Sequence, residues 1–567
     1  MRAGVPLTTG LTALAAALAL PASAGAFQVY TDVTSEMGID VSGLGSGTAW
    51  SDLDGDGDQD LLVSTSTGSQ GVYLYRNDGD GFTDVHSSSG LAGEARSFAV
   101  GDYDNDGLDD VAMISFGLVE TKLYHNIGGM QFDDISDTSG ITGTYSWRCA
   151  WVDYDDDGLL DLHLCGDTNY LFRNLGDGFF EDCAASAGFQ TGGRSCAWVD
   201  YDNDGLEDCY IGDSNGNLLY HNLGDGTFEE VGAEAGVDDP YGTSGVCAGD
   251  FDGDGFFDLY SVNIASPNNR LYHNQGDGTF EEITSSAGVG DVGDGRTATF
   301  LDIDYDGLID LFSSNHVNPN RLYRNNGDST FTDIADQLNI DEPPDPFGTG
   351  FADYDGDGDV DLFLATHFGN SLLRCEGMDN HWIVLDLVGT ASNRSAIGAV
   401  VKCTKDGTTT CQRVDGGHGM GDSDSKELEF GLGGSAGPFE IEILWPSGLV
   451  ETYTDLEVNT HVDLVEGTGP GVRCREAAVA GRLPEILSMA PNPAGGHCTL
   501  HFRAQPGADS RVDVLDAAGR MAYSGGVEAA GGTAVVDLPT EELEAGVYLV
   551  RVSAAGYADV GRIVVLR

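Results

Sequence analysis

The chain is poor in basic residues. Its 567 residues carry 26 lysines and arginines against 93 acids, a formal charge of −67. Lysine is almost missing, with only Lys122, Lys402, Lys405 and Lys426 present. Such a surface repels nucleic acid and anionic lipid and attracts cations. Long apolar runs are missing too. The stretch from Leu11 to Leu20 is too short to span a bilayer, and no later segment is apolar enough to do so. It follows Arg2 and precedes the small-x-small patterns Ala22-Ser23-Ala24 and Ala24-Gly25-Ala26, so it reads as a signal peptide over residues 1–26. The mature chain is expected to begin near Gly25 or Phe27, outside the cytoplasm. There is no H-E-x-x-H signature, no phosphate-binding loop and no C-x-x-C pair.

What the chain has in abundance is glycine, 82 residues of it, which suits strands and tight turns better than long helices. Its length points to three or four domains rather than one core. The eleven cysteines fit an oxidising compartment, and their odd number leaves at least one thiol unpaired within the chain. Cys403 and Cys411 flank an Asp406-Gly407 turn and could close a disulfide across that hairpin.

Repetition dominates the first two thirds. The phrase D-x-D-x-D-G-x-x-D occurs seven times, starting at Asp52, Asp102, Asp153, Asp200, Asp250, Asp302 and Asp353. The steps between copies are 50, 51, 47, 50, 52 and 51 residues. Each repeat has one short apolar stretch before the phrase and one directly after it. A third reads like Arg270-Leu-Tyr-His-Asn274, and a fourth follows a Gly-Asp-Gly turn, as at Phe280 to Ile283. Four short strands per repeat of about 50 residues is the arithmetic of a propeller blade. The seventh repeat stops after Leu372-Leu-Arg374 and lacks its fourth strand, while a matching Tyr30-Thr-Asp-Val33 precedes the first repeat. The N-terminal strand is therefore expected to complete the last blade and close the ring, which removes an open sheet edge.

The repeated phrase reads as a calcium loop. Calcium takes six to eight hard oxygen donors in flexible geometry. Carboxylates at positions 1, 3, 5 and 9 supply four side-chain donors, and the position 7 carbonyl a fifth. The expected ligand sets are Asp52, Asp54, Asp56, Asp58 and Asp60; Asp102, Asp104, Asp106, Leu108 and Asp110; Asp153, Asp155, Asp157, Leu159 and Asp161; Asp200, Asp202, Asp204, Leu206 and Asp208. Three more follow: Asp250, Asp252, Asp254, Phe256 and Asp258; Asp302, Asp304, Asp306, Leu308 and Asp310; Asp353, Asp355, Asp357, Asp359 and Asp361. About seven Ca²⁺ sites result. Position 6 is glycine in every copy, from Gly57 to Gly358, where a positive φ would turn the chain around the ion. An EF-hand would need an acid at position 12 and flanking helices. Position 12 is Val63, Met113, Leu164, Ile211, Ser261, Ser313 and Leu364, so that reading fails. Seven divalent ions would offset only about 14 of the 67 excess charges, so a general acidic surface must accompany them.

These loops resemble the FG-GAP or VCBS repeat of integrin α-subunit propellers and many bacterial secreted proteins. The Asp-rich half matches and the FG and GAP halves are poor, so integrin-like ligand binding does not carry over. Asn380-His-Trp382, Gly389, Asn393-Arg394, Ala396-Ile-Gly398, Gly431-Leu-Gly433 and Trp445-Pro-Ser-Gly448 resemble the ASPIC/UnbV module of the cartilage acidic protein family. That family joins a propeller to this module, which implies a calcium-binding extracellular protein. "APNPAGG" at Ala490, "VDVLDAAGR" at Val512, "AGVYLVRV" at Ala545 and the terminal "GRIVVLR" resemble a type IX secretion sorting domain, which implies contact with a secretion machinery. The expected fold class is all-β. A seven-bladed propeller at 27–378 precedes a small β module at 379–467, a linker at 468–485 and an Ig-like β-sandwich at 486–567.

Catalytic constellations are lacking. Gly433-Gly-Ser-Ala-Gly437 fits G-x-S-x-G, but it runs into Pro438 with no helix to follow, so Ser435 reads as a loop residue. His316 and His367 occupy matching places, six residues after Asp310 and Asp361. They read as polar strand ends, the alternative being that they meet on one face as ligand contacts. The expected role is a secreted or cell-surface binding or adhesion module for an extracellular glycan or protein. A calcium-dependent enzyme acting on polysaccharide is the alternative, and a passive envelope protein a third reading.

Overall fold

The computed structural model describes residues 29–469, apart from 40, 42–44, 66–70, 94, 116–120, 145, 177, 191, 265–267, 343–344, 368, 376, 378–379 and 419–422, and beyond them the strands between 473 and 565. The signal-peptide expectation lies outside these residues. Residues 31–374 form seven four-stranded antiparallel sheets. The first comprises Gly45–Ser51, Asp60–Thr65, Val72–Asn77 and Phe82–Asp84 in that spatial order. The next six open with Ser97–Gly101, Ser146–Val152, Ser195–Val199, Thr243–Gly249, Gly295–Leu301 and Pro346–Ala352.

The seventh sheet has only three strands from its own repeat. Its fourth is Thr31–Asp32, which pairs antiparallel with Ser371–Arg374. The complementary missing strand therefore sits where the sequence places it. The opening strands of successive sheets touch one another in order, and Pro346–Ala352 touches Gly45–Ser51. Separate apolar clusters fill all seven gaps between sheets. Trp50, Leu61, Tyr75, Tyr354 and Phe363 pack between the last sheet and the first. Middle strands such as Asp60–Thr65 are buried along their whole length because both faces carry a neighbour. The arrangement is consistent with a β-propeller.

One regular element went unread in the sequence. After each of the first six sheets comes a single helical turn, from His86–Ser89 to Ala335–Leu338. Each ends on a left-handed residue, Gly90, Gly140, Gly188, Gly236, Gly288 or Asn339. One turn is too short to leave a helical period among strands.

Residues 381–475 form two further four-stranded sheets. One orders Leu428–Gly433, His381–Val388, Thr460–Val465 and Arg473–Arg475, with the middle two parallel. The other orders Thr408–Arg413, Val400–Lys405, Phe439–Leu444 and Val450–Tyr453. In the Val400–Lys405 hairpin, Cys403 lies opposite Thr410 and Cys411 opposite Lys402. The one-residue offset puts the two sulfurs on opposite faces. Both thiols are free and buried, Cys403 in this module's core and Cys411 against the fourth and fifth propeller sheets, which corrects the disulfide expectation. The seven described cysteines of the repeats are free as well. The C-terminal segment adds a three-stranded and a four-stranded antiparallel sheet. Among the described residues, no helix is long and apolar enough to cross a membrane.

Candidate metal centres and the face they share

Every D-x-D-x-D-G-x-x-D phrase joins the first strand of its sheet to the second, and its position 9 aspartate opens the second strand. The position 1 carboxylate folds the loop by accepting two backbone bonds, from positions 5 and 6. In the second loop Asp106 N donates to Asp102 Oδ1 at 2.9 Å and Gly107 N to Asp102 Oδ2 at 2.7 Å. The other loops repeat this. The position 6 glycines have φ between 84° at Gly158 and 100° at Gly107, as the sequence requires. Position 4 also has positive φ in all seven loops, at Gly55, Asn105, Asp156, Asn203, Gly253, Tyr305 and Gly356. Six are residue types that tolerate the left-handed region, a signal present in the sequence and unread.

The position 9 aspartates are fully buried and fixed from two sides. Asp110 Oδ1 accepts from Asn126 N at 2.7 Å and Asp110 Oδ2 from Tyr103 N at 3.2 Å. The asparagine that ends each third strand then links neighbouring sheets. Asn126 Nδ2 donates to Asp109 O and, one sheet back, to Leu53 O, both at 2.9 Å. Asn174, Asn222, Asn274 and Asn325 do likewise. Asn77 closes the circle by donating to Tyr354 O of the seventh sheet at 2.7 Å. The seventh sheet has Cys375 at this place. These asparagines were legible in the repeated "RLYHN" and "RLYRN" phrases, where they read as mere strand ends.

Acidic groups that could hold a metal ion are present. Ligand atoms of Asp52, Asp54 and Asp60, and of Asp102, Asp104 and Asp106, lie within 4.8 Å of one another. Burial first, then neighbouring carboxylates, push Asp54 and Asp106 up to about 6, and Asp153 and Asp357 up to about 7. Burial also lifts Asp208 to about 9. These shifts mark a site short of positive charge. At position 3, Asp155, Asp202 and Asp304 each keep a buried Oδ1 with no hydrogen-bond partner among the described residues. A buried carboxylate oxygen without a donor can accept a cation. The donors are nearly all oxygen, which fits a hard ion.

The third strand also brings a base to five of these loops, the second to the sixth, which the sequence reading missed. His125 Nδ1 lies 3.2 Å from Asp110 and 3.5 Å from Asp104. His221 stands likewise beside Asp208 and Asp202, and His273 Nε2 is 2.9 Å from Asp252. Arg173 pairs with Asp155 at 2.7 Å, and Arg324 with Asp304 and Asp306. The hydrogen bond to Asp110 lifts His125 to about 9.

The 381–475 module sits on this loop face. Asn380 Nδ2 donates to Asp304 O, Arg394 N to Asn105 Oδ1 and Asp102 N to Ser395 Oγ, at 2.7–2.9 Å. Gly431 N donates to Asp302 Oδ2 at 3.2 Å, and His461 Nε2 lies 3.1 Å from Asp353 Oδ2. Arg413 forks onto Glu207 at 2.8 and 2.9 Å, and Lys426 pairs with Asp109. Ile397 joins the cluster between the second and third sheets. From the module, the described parts of 414–427 reach onto the inner strand edges. Trp151 N donates to Gly416 O at 2.9 Å, Trp50 N to Ser423 O at 3.2 Å and Phe351 N to Asp424 Oδ1 at 2.9 Å. This satisfies edge amides that a ring of sheets leaves facing its axis.

A cavity of about 130 Å³ remains between this segment and sheets five to seven, lined in part by Phe300, Arg413, Asp415, His418, Asp424 and Glu429. His418 Nδ1 is 3.0 Å from Asp415 and its Nε2 is 3.5 Å from Asp424. Ser435 lies exposed in a turn with no helix after it, as the sequence implied. His316 and His367 do meet. Both pair with the buried Asp345, His367 at 3.2 Å.

Repeated sheets, acid loops and a terminal sorting segment define a secreted or cell-surface repeat protein. The chain carries FG-GAP-like repeats at 52–113, 153–211, 200–261, 250–313 and 302–364. It carries an ASPIC and UnbV domain at 389–471 and a secretion system C-terminal sorting domain at 488–566, which implies interaction with a secretion machinery. It is homologous to cartilage acidic protein 1. The Xenopus tropicalis protein is 28% identical over 295 residues, covering 39% of this chain and 45% of that one. The Homo sapiens protein is 29% identical over 277 residues, covering 36% and 41%. The chain thus spans less than half the length of these curated relatives. Among solved structures, a lectin from Agrocybe aegerita described as recognising non-reducing terminal N-acetylglucosamine overlaps 52% of this chain and 80% of its own, at 21% identity and TM-score 0.36. The V. cholerae biofilm matrix protein Bap1 overlaps 95% and 84%, at 13% identity and TM-score 0.31. Overlaps at these scores carry no weight for function.

Proposed function

We propose that residues 27–378 are a closed seven-bladed β-propeller loaded with about seven Ca²⁺ ions, followed by an Ig-like C-terminal sandwich, and that the assembly is an extracellular binding module for a glycan or protein. The observation that carries the calcium reading is the set of orphaned position 3 oxygens of Asp155, Asp202 and Asp304 inside loops whose Asp153, Asp208 and Asp306 carboxyls burial pushes up in pKa. Positions 1, 3, 5 and 9 would supply carboxylates, and the ion would supply the positive charge that lets them ionise together. An affinity of roughly 10⁻⁴–10⁻³ M, usual for extracellular modules, suffices. Calcium stiffens the blades, and loops on the face away from the module offer the ligand surface.

The test is a glycan array and a pull-down with the calcium-loaded chain. Saturable hits support the binding module, and blanks in both remove it. A second reading, an enzyme, is favoured by the axial cavity, where His418 lies between two acids beside Arg413. Turnover of a polysaccharide that His418→Ala abolishes, with calcium affinity unchanged, would establish it.

A further inference from the structure

Five of the acid loops share a feature that the calcium reading alone does not explain. The last two residues of the third strand both act on the loop, and they act on different carboxylates. In the third sheet that strand is Tyr170–Asn174. Asn174 N donates to the position 9 carboxylate, at Asp161 Oδ1, over 2.6 Å. Arg173, one residue earlier, turns its guanidinium to positions 3 and 5. Its Nε lies 2.7 Å from Asp155 Oδ2 and its Nη2 3.4 Å from Asp157 Oδ2. Arg324 repeats the fork in the sixth sheet, with Nε on Asp304 Oδ2 and Nη2 2.8 Å from Asp306 Oδ2. In the second, fourth and fifth sheets His125, His221 and His273 approach Asp104 Oδ2, Asp202 Oδ2 and Asp252 Oδ2 at 3.5, 3.6 and 2.9 Å.

In all five the base approaches the same oxygen, Oδ2, of the position 3 aspartate. The other oxygen is left. Asp155 Oδ1, Asp202 Oδ1 and Asp304 Oδ1 are buried with no hydrogen-bond partner among the described residues. A base that served only as the loop's own counter-ion would be drawn to that unpaired oxygen as well. Nor is one guanidinium enough charge, since the third loop holds Asp153, Asp155, Asp156, Asp157 and Asp161. A carboxylate held at Oδ2 no longer turns freely, so its Oδ1 keeps one direction. Partners that orient ligating carboxylates in this way keep a metal site in shape. A planar guanidinium also fixes the spacing of two carboxylates, which a point charge does not.

We propose that Arg173 and Arg324 are positioning residues of their calcium loops, each clamping Oδ2 of positions 3 and 5 so that Oδ1 of position 3 is presented to the ion. This rests on the calcium reading and adds to it the side chains that aim the ligands.

The Arg173 side chain is 45% exposed, so its removal leaves no hole in the core. Hydrogen exchange read by mass spectrometry on the full chain, titrated with calcium chloride, resolves one loop from another. Calcium should slow exchange in the peptide covering 153–161 with a midpoint of its own. Arg173→Ala should raise that midpoint about tenfold to a hundredfold, the range for lost outer partners of a metal ligand, and leave that of 353–361 in place. Arg324→Ala should do the same to 302–310. Arg173→Lys, which keeps the charge and loses the fork, should recover only part of the loss. An ion pair without this role would lower the melting temperature in EDTA and leave the midpoint where it was. A midpoint unmoved or lowered in either alanine variant overturns the proposal, a lowered one marking the arginine as a rival of the ion. The unaltered loops, still answering to calcium, would then keep the calcium reading intact. If no loop of the unsubstituted chain responds to calcium, both fall together.

Discussion

The two faces of the ring are chemical opposites. One face carries the seven acid loops and is covered by the 381–475 module, whose Arg394, Arg413, Lys426 and His461 meet Asp102, Glu207, Asp109 and Asp353. The other carries Arg96 and Arg194 over the Trp147 ring and Arg296 over the Phe347 ring. Three of the chain's four lysines lie in the module. Scarce positive charge is therefore concentrated at two places, against the loops and on the opposite face. The loop side holds more carboxylates than the bases it meets.

Chelation should break that contrast most strongly. A ligand at a hundred times its Kd stabilises by about 2.7 kcal/mol per site, and several sites act on one ring. EDTA should therefore lower the melting temperature far more than any point substitution, and an unchanged melting curve would end the calcium reading. The pH dependence sharpens it. Carboxyls such as Asp54, Asp106, Asp153 and Asp357 sit at about 6 to 7 in the ion-free fold, above the roughly 3.9 of an unfolded aspartate. The ion-free fold holds protons that the unfolded chain releases. Its stability is present below about pH 4 and drains away as pH rises through 6 to 7. Differential scanning calorimetry in EDTA should show melting fall from pH 5 to pH 7.5. Calcium should raise it most at the higher pH.

The covered face can also be challenged by sterics. A Cβ on Gly416 would stand 1.9 Å from the Trp151 carbonyl oxygen. Gly416→Ala should cost about 1–3 kcal/mol, the range for overpacking, and loosen the module while leaving the sheets formed. Limited proteolysis in the module ahead of any change in far-UV circular dichroism is the readout. Next in size is the asparagine link between sheets. Asn222→Ala leaves the Tyr154 and Glu207 carbonyls without that donor and should cost about 1–3 kcal/mol by urea denaturation. Cys375→Ala, where no such side-chain link exists, should cost less. Smallest of all is reduction. With the nine described thiols free, dithiothreitol should leave melting within experimental scatter.

The sequence carried those parts of the fold that repeat. Seven copies of one loop, the turn glycines and the strand missing from the seventh repeat are local patterns with a fixed period, and the observed pairing of Thr31 with Arg374 follows from them. Position 4 of the loop was equally periodic but was obscured by Tyr305, a buried aromatic held at φ 54° while its hydroxyl donates to Glu429. The module's seat on the loops left no trace, since contacts such as Thr410 with Gly307 join segments about a hundred residues apart that share no pattern. The Cys403–Cys411 expectation failed on register alone. Spacing places two residues in one hairpin, and only the pairing fixes which face each side chain takes. The arginines of the opposite face escaped notice for a different reason. Arg96, Arg194 and Arg296 each stand six residues before the first aspartate of their loops and Arg148 stands five before Asp153, a periodic place that went unread because the other repeats carry no base there.

The segment 414–427 gives the ring a direction. Its described parts hold inner strand edges of the first, third and seventh sheets from the module side. One short segment thus plugs three blades together, and loosening the module would bare backbone amides in all three at once.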